Sequence, residues 1–472
     1  MAPNVTEAPP GPAREGTEAP AATLKKRATS AATITLAGHF AAQFIRLASN
    51  LVTTRLLAPA DFGVFALGFT VLTAISLFTD LGVRLAVINH KDHDRAFLNT
   101  AWSIQVMRGC MIAGVTLVAA VVLLFANQLG LLPSDSVYAN ANLPWVVAAL
   151  SVTSIIQGAD PMRAWMAQRN LAITRLLALE ILAQFVGSLA TIAFGFLFRS
   201  VWALLLGTVV GSLVRFSLLY RYLPGDRERF GINADCKKLI LANSHWIASS
   251  SIVGFFVLNG DRVVLGSLFN EHDFGLYTIA LTLAGAFQTI VSKLLATVLY
   301  PALAEIHRDG RGRMPAALAK VQRTFDLTVV AAAVAVSCLG SLLISTLYDP
   351  RYREAGPVLS IIILGTIALR SQITEHLYFI TNHSKFATLS RMAQLIAIFA
   401  FPVIGCQIWG NSGALWGLVA SQFINLPFVL YFRYQQRLLT LASEAALLPS
   451  IAAGTAIGLA LLYMAHWIHP GV

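Results

Sequence analysis

The chain contains the stretch Leu56-Leu57-Ala58-Pro59-Ala60-Asp61-Phe62-Gly63-Val64-Phe65 and repeats its pattern 212 residues later, as Leu268-Phe269-Asn270-Glu271-His272-Asp273-Phe274-Gly275-Leu276-Tyr277. A second pair of segments, Tyr220-Arg221-Tyr222 and Phe432-Arg433-Tyr434, has the same offset. Two matches that share one offset are much less expected by chance than either match alone. They indicate that the chain consists of two similar halves.

The composition is that of a polytopic membrane protein. Hydrophobic residues make up 56% of the chain and charged residues only 12%, and the mean hydropathy is +0.68. A soluble domain carries about 25% charged residues. We predict an all-α membrane protein, because about 20 apolar residues are enough to cross the hydrocarbon core of a bilayer. Thirteen segments qualify, of which twelve form the core: 32–57, 62–88, 101–126, 143–165, 173–198, 201–222, 239–268, 274–302, 324–347, 356–381, 387–409, 413–434 and 446–468.

The basic residues predict how the chain is oriented. The net charge is +11, but Lys and Arg stand at the ends of apolar segments. That distribution favours the positive-inside arrangement over a nucleic-acid surface. The loops 127–142 and 269–273 hold no Lys or Arg, which marks them as outward. We therefore expect a multi-pass membrane protein with a cytoplasmic N-terminus.

The repeat predicts the domain organisation. Residues 31–225 and 226–436 form an N-terminal and a C-terminal lobe of six helices each. Because six is an even number, the halves cross the membrane in the same direction, as two parallel lobes around a central cavity. Residues 1–30 are expected to be a disordered cytoplasmic tail, and 437–472 an extra C-terminal hydrophobic segment.

Polar side chains recur at helical spacing on several spans, which predicts a hydrated cavity. A charge at the bilayer centre costs about 2.5–3.5 kcal/mol on insertion scales, so it should face protein or water. Cations exceed acids in these spans, and guanidinium groups suit phosphate. We predict a substrate-binding cavity for an anionic ligand, lined by Arg46, Arg84, Arg215, Arg262, Lys293, Arg370, Gln43 and Asn50. The alternative is that single charges pair within the bundle, such as Asp80 with Arg84 or Arg370 with Glu375.

Two further sets of residues have a structural and a functional interpretation. The carboxylates Asp160, Glu180 and Glu375 are candidate proton or Na⁺ coupling sites, although their spacing fits structural carboxylates as well. In the repeated Asp-Phe-Gly, we predict a structural turn in preference to a ligand contact. There the Asp caps the second helix of each half and the Gly relieves crowding at its start: Asp61, Gly63, Asp273 and Gly275.

Signals of enzymatic chemistry are weak. Asp92-His93-Asp94 has the DxD form of metal-dependent glycosyltransferases, but it lies in a short loop with no soluble domain around it. No P-loop, Gly-x-Ser-x-Gly or His-Glu-x-x-His motif occurs. The four cysteines are scattered singly and lack ligand spacing. We predict no catalytic residue, no metal site and no cofactor.

Five stretches together resemble the bacterial polysaccharide-export flippases, the Wzx-type oligosaccharide flippases of the MOP superfamily. They are Arg55–Leu67, Phe78–Val83, Asn99–Trp102, Tyr300–Ala304 and Tyr348–Tyr352. The resemblance implies a MATE-like fold and a flippase that moves a lipid-diphosphate-linked oligosaccharide from the cytoplasmic to the periplasmic leaflet by alternating access. The product would enter exopolysaccharide or O-antigen assembly. Membrane lipids, and polymerase and chain-length proteins of that pathway, are the implied partners, and nucleic acid is not.

Three other functions remain as alternatives. A flippase for the peptidoglycan lipid precursor shares the anionic diphosphate. A multidrug or cation antiporter of the same superfamily would need acidic cavity residues, whereas cations predominate here. A membrane polysaccharide polymerase usually carries a large periplasmic loop, whereas the longest predicted outward loop, 127–142, is short.

Overall fold

The structure, a computed structural model, describes residues 21–90, 94–169, 173–308, 314–381, 383–439 and 444–468, and all regular structure in these ranges is helical. The helices up to the middle of the chain are α1 Ala21–Thr53, α2 Pro59–Phe78, α3 Val83–Asn89, α4 Arg95–Gln128, α5 Leu143–Gly158, α6 Arg163–Arg169, α7 Ile173–Phe198 and α8 Val201–Tyr222. Those that follow are α9 Ala234–Leu241, α10 Ser244–Leu268, α11 Glu271–Leu294, α12 Tyr300–Arg308, α13 Met314–Phe325, α14 Ala331–Leu347, α15 Ala355–Ile362, α16 Arg370–Ile380, α17 Ser384–Gln422, α18 Leu426–Gln435 and α19 Leu447–Ile468.

The helices account for the predicted spans. Among the described residues, ten helical segments are long and apolar enough to cross a membrane, or eleven if the pair α5 and α6, bent by 64°, is one span. The longest of them runs through α17, which has non-helical backbone angles at Trp409 and Gly410. That break falls where the sequence separates segment 387–409 from 413–434. With this division and the more polar α1, the count is compatible with twelve core spans and a thirteenth segment.

Two predicted boundaries differ from the structure. Helix α1 begins at Ala21, so residues 21–30 are helical and do not belong to a disordered tail; residues 1–20 lie outside the described part. This run is rich in Ala, Leu, Lys and Arg, which are strong helix formers. The predicted span 62–88 is interrupted between α2 and α3. Gly82 there has φ +69°, and the Asp80 carboxylate accepts a hydrogen bond from its backbone N–H at 3.0 Å.

The connection between the two halves packs on the N-terminal lobe. Backbone N–H groups of Arg229, Gly231 and Asn233 donate to the side chains of Asn99, Ser103 and Thr100 on α4, at 2.9, 3.0 and 3.0 Å. Helix α9 continues this contact through the buried Ile240, which joins a core cluster with α3 and α4. Residues 226–241, which the repeat alone assigns to the C-terminal lobe, therefore lie on the other lobe as far as the start of α10.

The thirteenth segment forms helix α19 and packs along α14. A Cβ on Gly458 would lie 2.7 Å from Cβ of Cys338, so the two helices are in close contact there. Just before α19, Glu444 accepts hydrogen bonds from Arg370 and Arg433, at 2.5 and 2.7 Å. Helix α19 is thus part of the C-terminal lobe and not a detached extension.

Candidate functional site

The two lobes are closed against each other at one end, here called the outer end: residues 54–61, 129–142, 269–271 and 348–354. Helices α2 and α11, the second of each half, begin there and pack together. Tyr352 donates to the carbonyl oxygen of Leu57 at 2.8 Å, and Arg351 donates to that of Arg55 at 3.0 Å. The side chain and backbone N–H of Arg351 also hydrogen-bond Asp349, which lowers the pKa of that carboxyl. The outer end is therefore sealed by direct contacts between lobes.

The repeated Asp-Phe-Gly lies at the centre of this seal. Asp61 is the third residue of α2, and its carboxylate accepts from the backbone N–H of Ala58 at 3.0 Å. Asp273 holds the equivalent place in α11, where Asn270 is the capping residue and accepts from the Asp273 N–H at 2.8 Å. Both acids thus act inside the first helical turn and not at the N-cap position. A Cβ on Gly63 would meet backbone N of Gly275 at 3.0 Å, so the glycines allow two helices to touch.

A cavity of about 660 Å³ lies where the lobes meet below this seal, and its lining belongs to the C-terminal lobe except for Gln43 and Arg46 of α1. Its walls come from α1, α10, α11, α16 and both ends of α17, together with Ile362 and Thr366. Four of its lining residues are basic: Arg46, Arg262, Lys293 and Arg391. One acid, Asp261, lines it too, and it accepts a short hydrogen bond from the buried Tyr277. Basic residues therefore outnumber acidic ones in the cavity lining.

The four basic residues lie at two levels along the helices that line the cavity. At 1.5 Å per residue, Arg46 and Arg262 lie about 9–11 Å from the outer ends of α1 and α10. Lys293 is in the last turn of α11, and Arg391 is about two turns from the beginning of α17. Arg262 donates to Asn259 at 3.4 Å. Within the described residues, neither Arg46 nor Arg262 forms an ion pair. Their positive charge is therefore directed at the cavity.

The structure brings together Gln43, Arg46, Arg262 and Lys293 of the eight residues predicted for the cavity, and it places the other four elsewhere. Arg84 projects from α3 and donates to Gln168 at 2.8 Å. The chain turns at Gly82, so Arg84 does not lie on the polar face of α2. The prediction from helical spacing is wrong for Arg84 for this reason. Asn50 lies on α1 but does not line the cavity.

Arg215 and Arg370 lie outside the cavity because each is held by two acids. Arg215 pairs with Asp160, and with Glu180 at 3.4 Å. Arg370 makes a two-pronged contact with Asp326, at 2.8 and 3.2 Å, and a third with Glu444. Its expected partner Glu375 binds Arg391 instead, at 3.2 Å. The alternative interpretation, pairing within the bundle, is correct for these two arginines, although with partners that the local spacing does not indicate.

The three candidate coupling carboxylates are all engaged with arginine. Asp160 and Glu180 share Arg215, and one oxygen of Asp160 is buried without a hydrogen-bond partner among the described residues. Glu375 lies beside the cavity, between Arg391 and Asn425. Ion coupling at these residues stays a prediction. In the DxD stretch, Asp92 and His93 are outside the described residues, and Asp94 caps α4 by accepting from the Phe97 N–H at 2.8 Å.

Sequence reasoning missed several cavity residues. Arg391 stands near the beginning of α17, where a basic residue has the usual position of a membrane-flanking charge. The amides Gln372, Gln394 and Gln422 also line the cavity, next to Gln288, which the polar spacing along α11 already indicates. They come from three different stretches of the second half, and uncharged amides give no charge signal along a sequence. Only the packing of α11, α16 and α17 shows that they face one space.

Comparisons with known proteins agree with this architecture. Residues 52–357 match the family model described as polysaccharide biosynthesis protein. The lipopolysaccharide biosynthesis protein WzxC of Escherichia coli (strain K12) is 22% identical over 430 residues, which cover 88% of this chain and 84% of WzxC. These matches confirm the resemblance to Wzx-type flippases.

Solved structures show the same fold. The lipid II flippase MurJ in an inward closed conformation aligns with a TM-score of 0.61 at 13% identity, covering 91% of this chain and 98% of MurJ. An inward-facing multidrug resistance MATE family transporter of the MOP superfamily aligns with a TM-score of 0.60 at 15% identity, covering 84% and 95%. The MATE-like, all-α class predicted from the sequence is confirmed. These relatives are described as a flippase and a transporter, in agreement with the prediction that the chain is not an enzyme.

Proposed function

Because the chain belongs to the polysaccharide biosynthesis protein family, we propose that it is a flippase for a lipid-diphosphate-linked oligosaccharide. It moves this substrate from the cytoplasmic to the periplasmic leaflet of the inner membrane, for exopolysaccharide or O-antigen assembly. The observation that carries the proposal is the cation-rich cavity between the lobes, with Arg46, Arg262, Lys293 and Arg391 around one space.

Charge supports a diphosphate as the part of the substrate that enters the cavity. Arg46, Arg262 and Lys293 line the cavity together with Arg391, which is paired with Glu375, and the one carboxylate in the lining, Asp261, accepts a hydrogen bond from Tyr277. Hydrogen bonds between guanidinium and phosphate oxygens are roughly twice as strong as neutral ones. A cationic drug would meet repulsion from the same groups, so the antiporter alternative is disfavoured. The diphosphate of a peptidoglycan precursor would fit these cations equally well, and that alternative is left to the experiment.

Shape supports transport by alternating access. The lobes meet at the outer end through α2 and α11, and the cavity extends from this seal towards Lys293 and Arg391 at the other ends of the helices. Its volume of about 660 Å³ is that of a site for a small molecule. We infer that the diphosphate and the nearest sugars enter from the cytoplasmic side while the lipid tail stays in the bilayer. Separation of α2 from α11 then opens the cavity to the other side.

The proposal is tested by deleting the gene and extracting lipid-linked intermediates from the cells. We expect lipid-linked oligosaccharide to accumulate in the cytoplasmic leaflet, and the wild-type gene to restore export of the polymer. Unchanged levels and sidedness of this intermediate would contradict the proposal. Accumulation of the peptidoglycan precursor, with growth arrest, would establish the alternative substrate.

A further inference from the structure

The cavity has a small side recess in the C-terminal lobe that the diphosphate does not account for. The recess has a volume of about 50 Å³ and opens beside Arg391. Amide side chains dominate its wall, which contains Gln288, Gln372, Gln394, Gln422 and Asn425. All of these except Asn425 also line the main cavity, so a ligand in the cavity reaches the recess directly.

Two buried acceptors in this wall lack a donor. The side-chain oxygens of Gln394 and Asn425 have no hydrogen-bond partner among the described residues. Asn425 is only 5% exposed, and its amide nitrogen donates to Glu375 at 3.3 Å. The nitrogen is thereby used and the oxygen remains as an acceptor. Buried polar groups in proteins are nearly always hydrogen-bonded, so these two oxygens have the capacity to accept from a donor.

The charges around the recess favour a neutral ligand. Its one carboxylate, Glu375, is paired with Arg391 at 3.2 Å. A cation bound in the recess would have to compete with Arg391 for Glu375. An anion bound there in addition to the diphosphate would be repelled by Glu375. Sugar hydroxyl and acetamido groups are neutral and both donate and accept hydrogen bonds, which matches a wall of amides.

Position and size complete the argument. The recess is large enough for one substituent and too small for a sugar ring, so the ring itself stays in the main cavity. Arg391 contributes to both spaces, and a phosphate bound there brings the sugar attached to it next to Gln394. We propose that the recess recognises a hydroxyl or acetamido group of the sugar linked directly to the diphosphate. This inference rests on the proposed function, because it assumes that the diphosphate enters the cavity.

Binding measurements on the full-length chain in lipid nanodiscs test the inference. Three probes are compared: bare polyprenyl diphosphate, and the same lipid carrying glucose or N-acetylglucosamine. We expect at least one sugar-bearing lipid to bind about tenfold more tightly than the bare lipid, because sites with buried polar groups reject analogues that leave them unpaired. In Asn425→Leu, which changes a residue of the recess that does not line the main cavity, this ratio should fall towards one while the affinity for the bare lipid is retained. The ratio should fall in Gln394→Met as well. Gln128→Met, which removes an exposed amide at the end of α4, should keep the wild-type ratio.

The possible outcomes distinguish a failure of this inference from a failure of the proposed function. Equal binding of all three lipids by the wild type, or an unchanged ratio in Gln394→Met, overturns the sugar recess and leaves the flippase intact. Gln394 is only half-buried, so this variant gives an answer even if Asn425→Leu fails to fold. Equal binding of the three lipids that requires Na⁺ would assign the recess to a cation and also overturn the inference. Failure of all three lipids to bind would overturn the proposed function and the inference together.

Discussion

Gly63 of α2 and Gly275 of α11 hold equivalent places in the two halves, and their helices touch backbone to backbone at these residues. A Cβ on Gly63 would lie 3.0 Å from backbone N of Gly275, and a Cβ on Gly275 would overlap the backbone of Pro59. The contact has no flexible side chain that could move aside. The outer seal between the lobes is therefore sensitive to the smallest possible substitution.

Gly275→Ala should weaken the outer seal. Overpacking of a close contact costs about 1–3 kcal/mol, and separating α2 from α11 relieves it. The distance between spin labels at Asp135 and Glu354, which are exposed on opposite lobes at the outer end, should lengthen or become bimodal. Gly114→Ala is the matched control, because a Cβ there meets nothing within 4 Å. An unchanged distance distribution in Gly275→Ala would contradict the seal.

Arg46→Gln and Arg262→Gln should each reduce affinity for polyprenyl diphosphate. A hydrogen bond to a charged group contributes about 1.5–3 kcal/mol, so each change should weaken binding by roughly 10- to 150-fold. Binding to the wild type should also weaken with added salt. Arg353→Gln, at the exposed outer end, serves as the control and should bind as the wild type does. If both cavity variants retain wild-type affinity, these arginines are not phosphate contacts.

Asp326→Asn should destabilise the chain. Asp326 is fully buried and binds the 9%-exposed Arg370 at 2.8 Å. Removing one partner of a buried ion pair costs about 3–5 kcal/mol when the other charge is left uncompensated, and the loss here should lie at or below the lower end of that range because Arg370 keeps its ion pair with Glu444. Thermal unfolding in detergent should occur at a clearly lower temperature. The double variant Asp326→Leu/Arg370→Met removes both charges and should recover part of the loss; a double variant less stable than Asp326→Asn would show that the pair is not the cause.

Ser103→Ala should loosen the connection between the halves. The Ser103 hydroxyl accepts from the backbone N–H of Gly231 at 3.0 Å, and its own proton lies between the carbonyl oxygens of Asn99 and Gly231, at 2.8 and 3.2 Å. Losing such a bond costs about 1 kcal/mol, or roughly a fivefold increase in local opening. Hydrogen exchange should accelerate over residues 229–233. Thr116→Val is the control, since the Thr116 hydroxyl bonds only the Ile112 carbonyl oxygen of its own helix, and equal exchange in both variants would count against the contact.

The sequence predicts the features of this protein that depend on neighbouring residues. Apolar runs place the spans, and even the break at Trp409 and Gly410 falls between two predicted segments. Gln43 and Arg46 share a face of α1 because they are three residues apart on one uninterrupted helix. The offset of the repeat pairs α2 with α11, and Asp61 and Asp273 are each the third residue of these helices.

Features that depend on distant residues could not be predicted. Arg370 is turned from the cavity by Asp326 and Glu444, which are 44 and 74 residues away. Arg84 does not lie on the polar face predicted for α2, because the backbone turns at Gly82, where φ is +69°. A prediction from helical spacing assumes that the helix continues without such a turn. Arg391 is a cavity residue only because α17 packs beside α10 and α16, and a lone arginine after a loop has no distinguishing pattern.

The contact between the two Asp-Phe-Gly copies is isologous, since the same patch occurs on both sides of it. A half-length chain that carried this patch could pair with a second copy of itself around a two-fold axis along the membrane normal. In such a dimer one gene would encode both faces of the contact. A substitution that adds a Cβ to one face would therefore add it to the other face as well. Because the two halves are joined in one chain, each face can differ from the other, and the N-cap residue is Ala58 before Asp61 and Asn270 before Asp273 at otherwise equivalent turns.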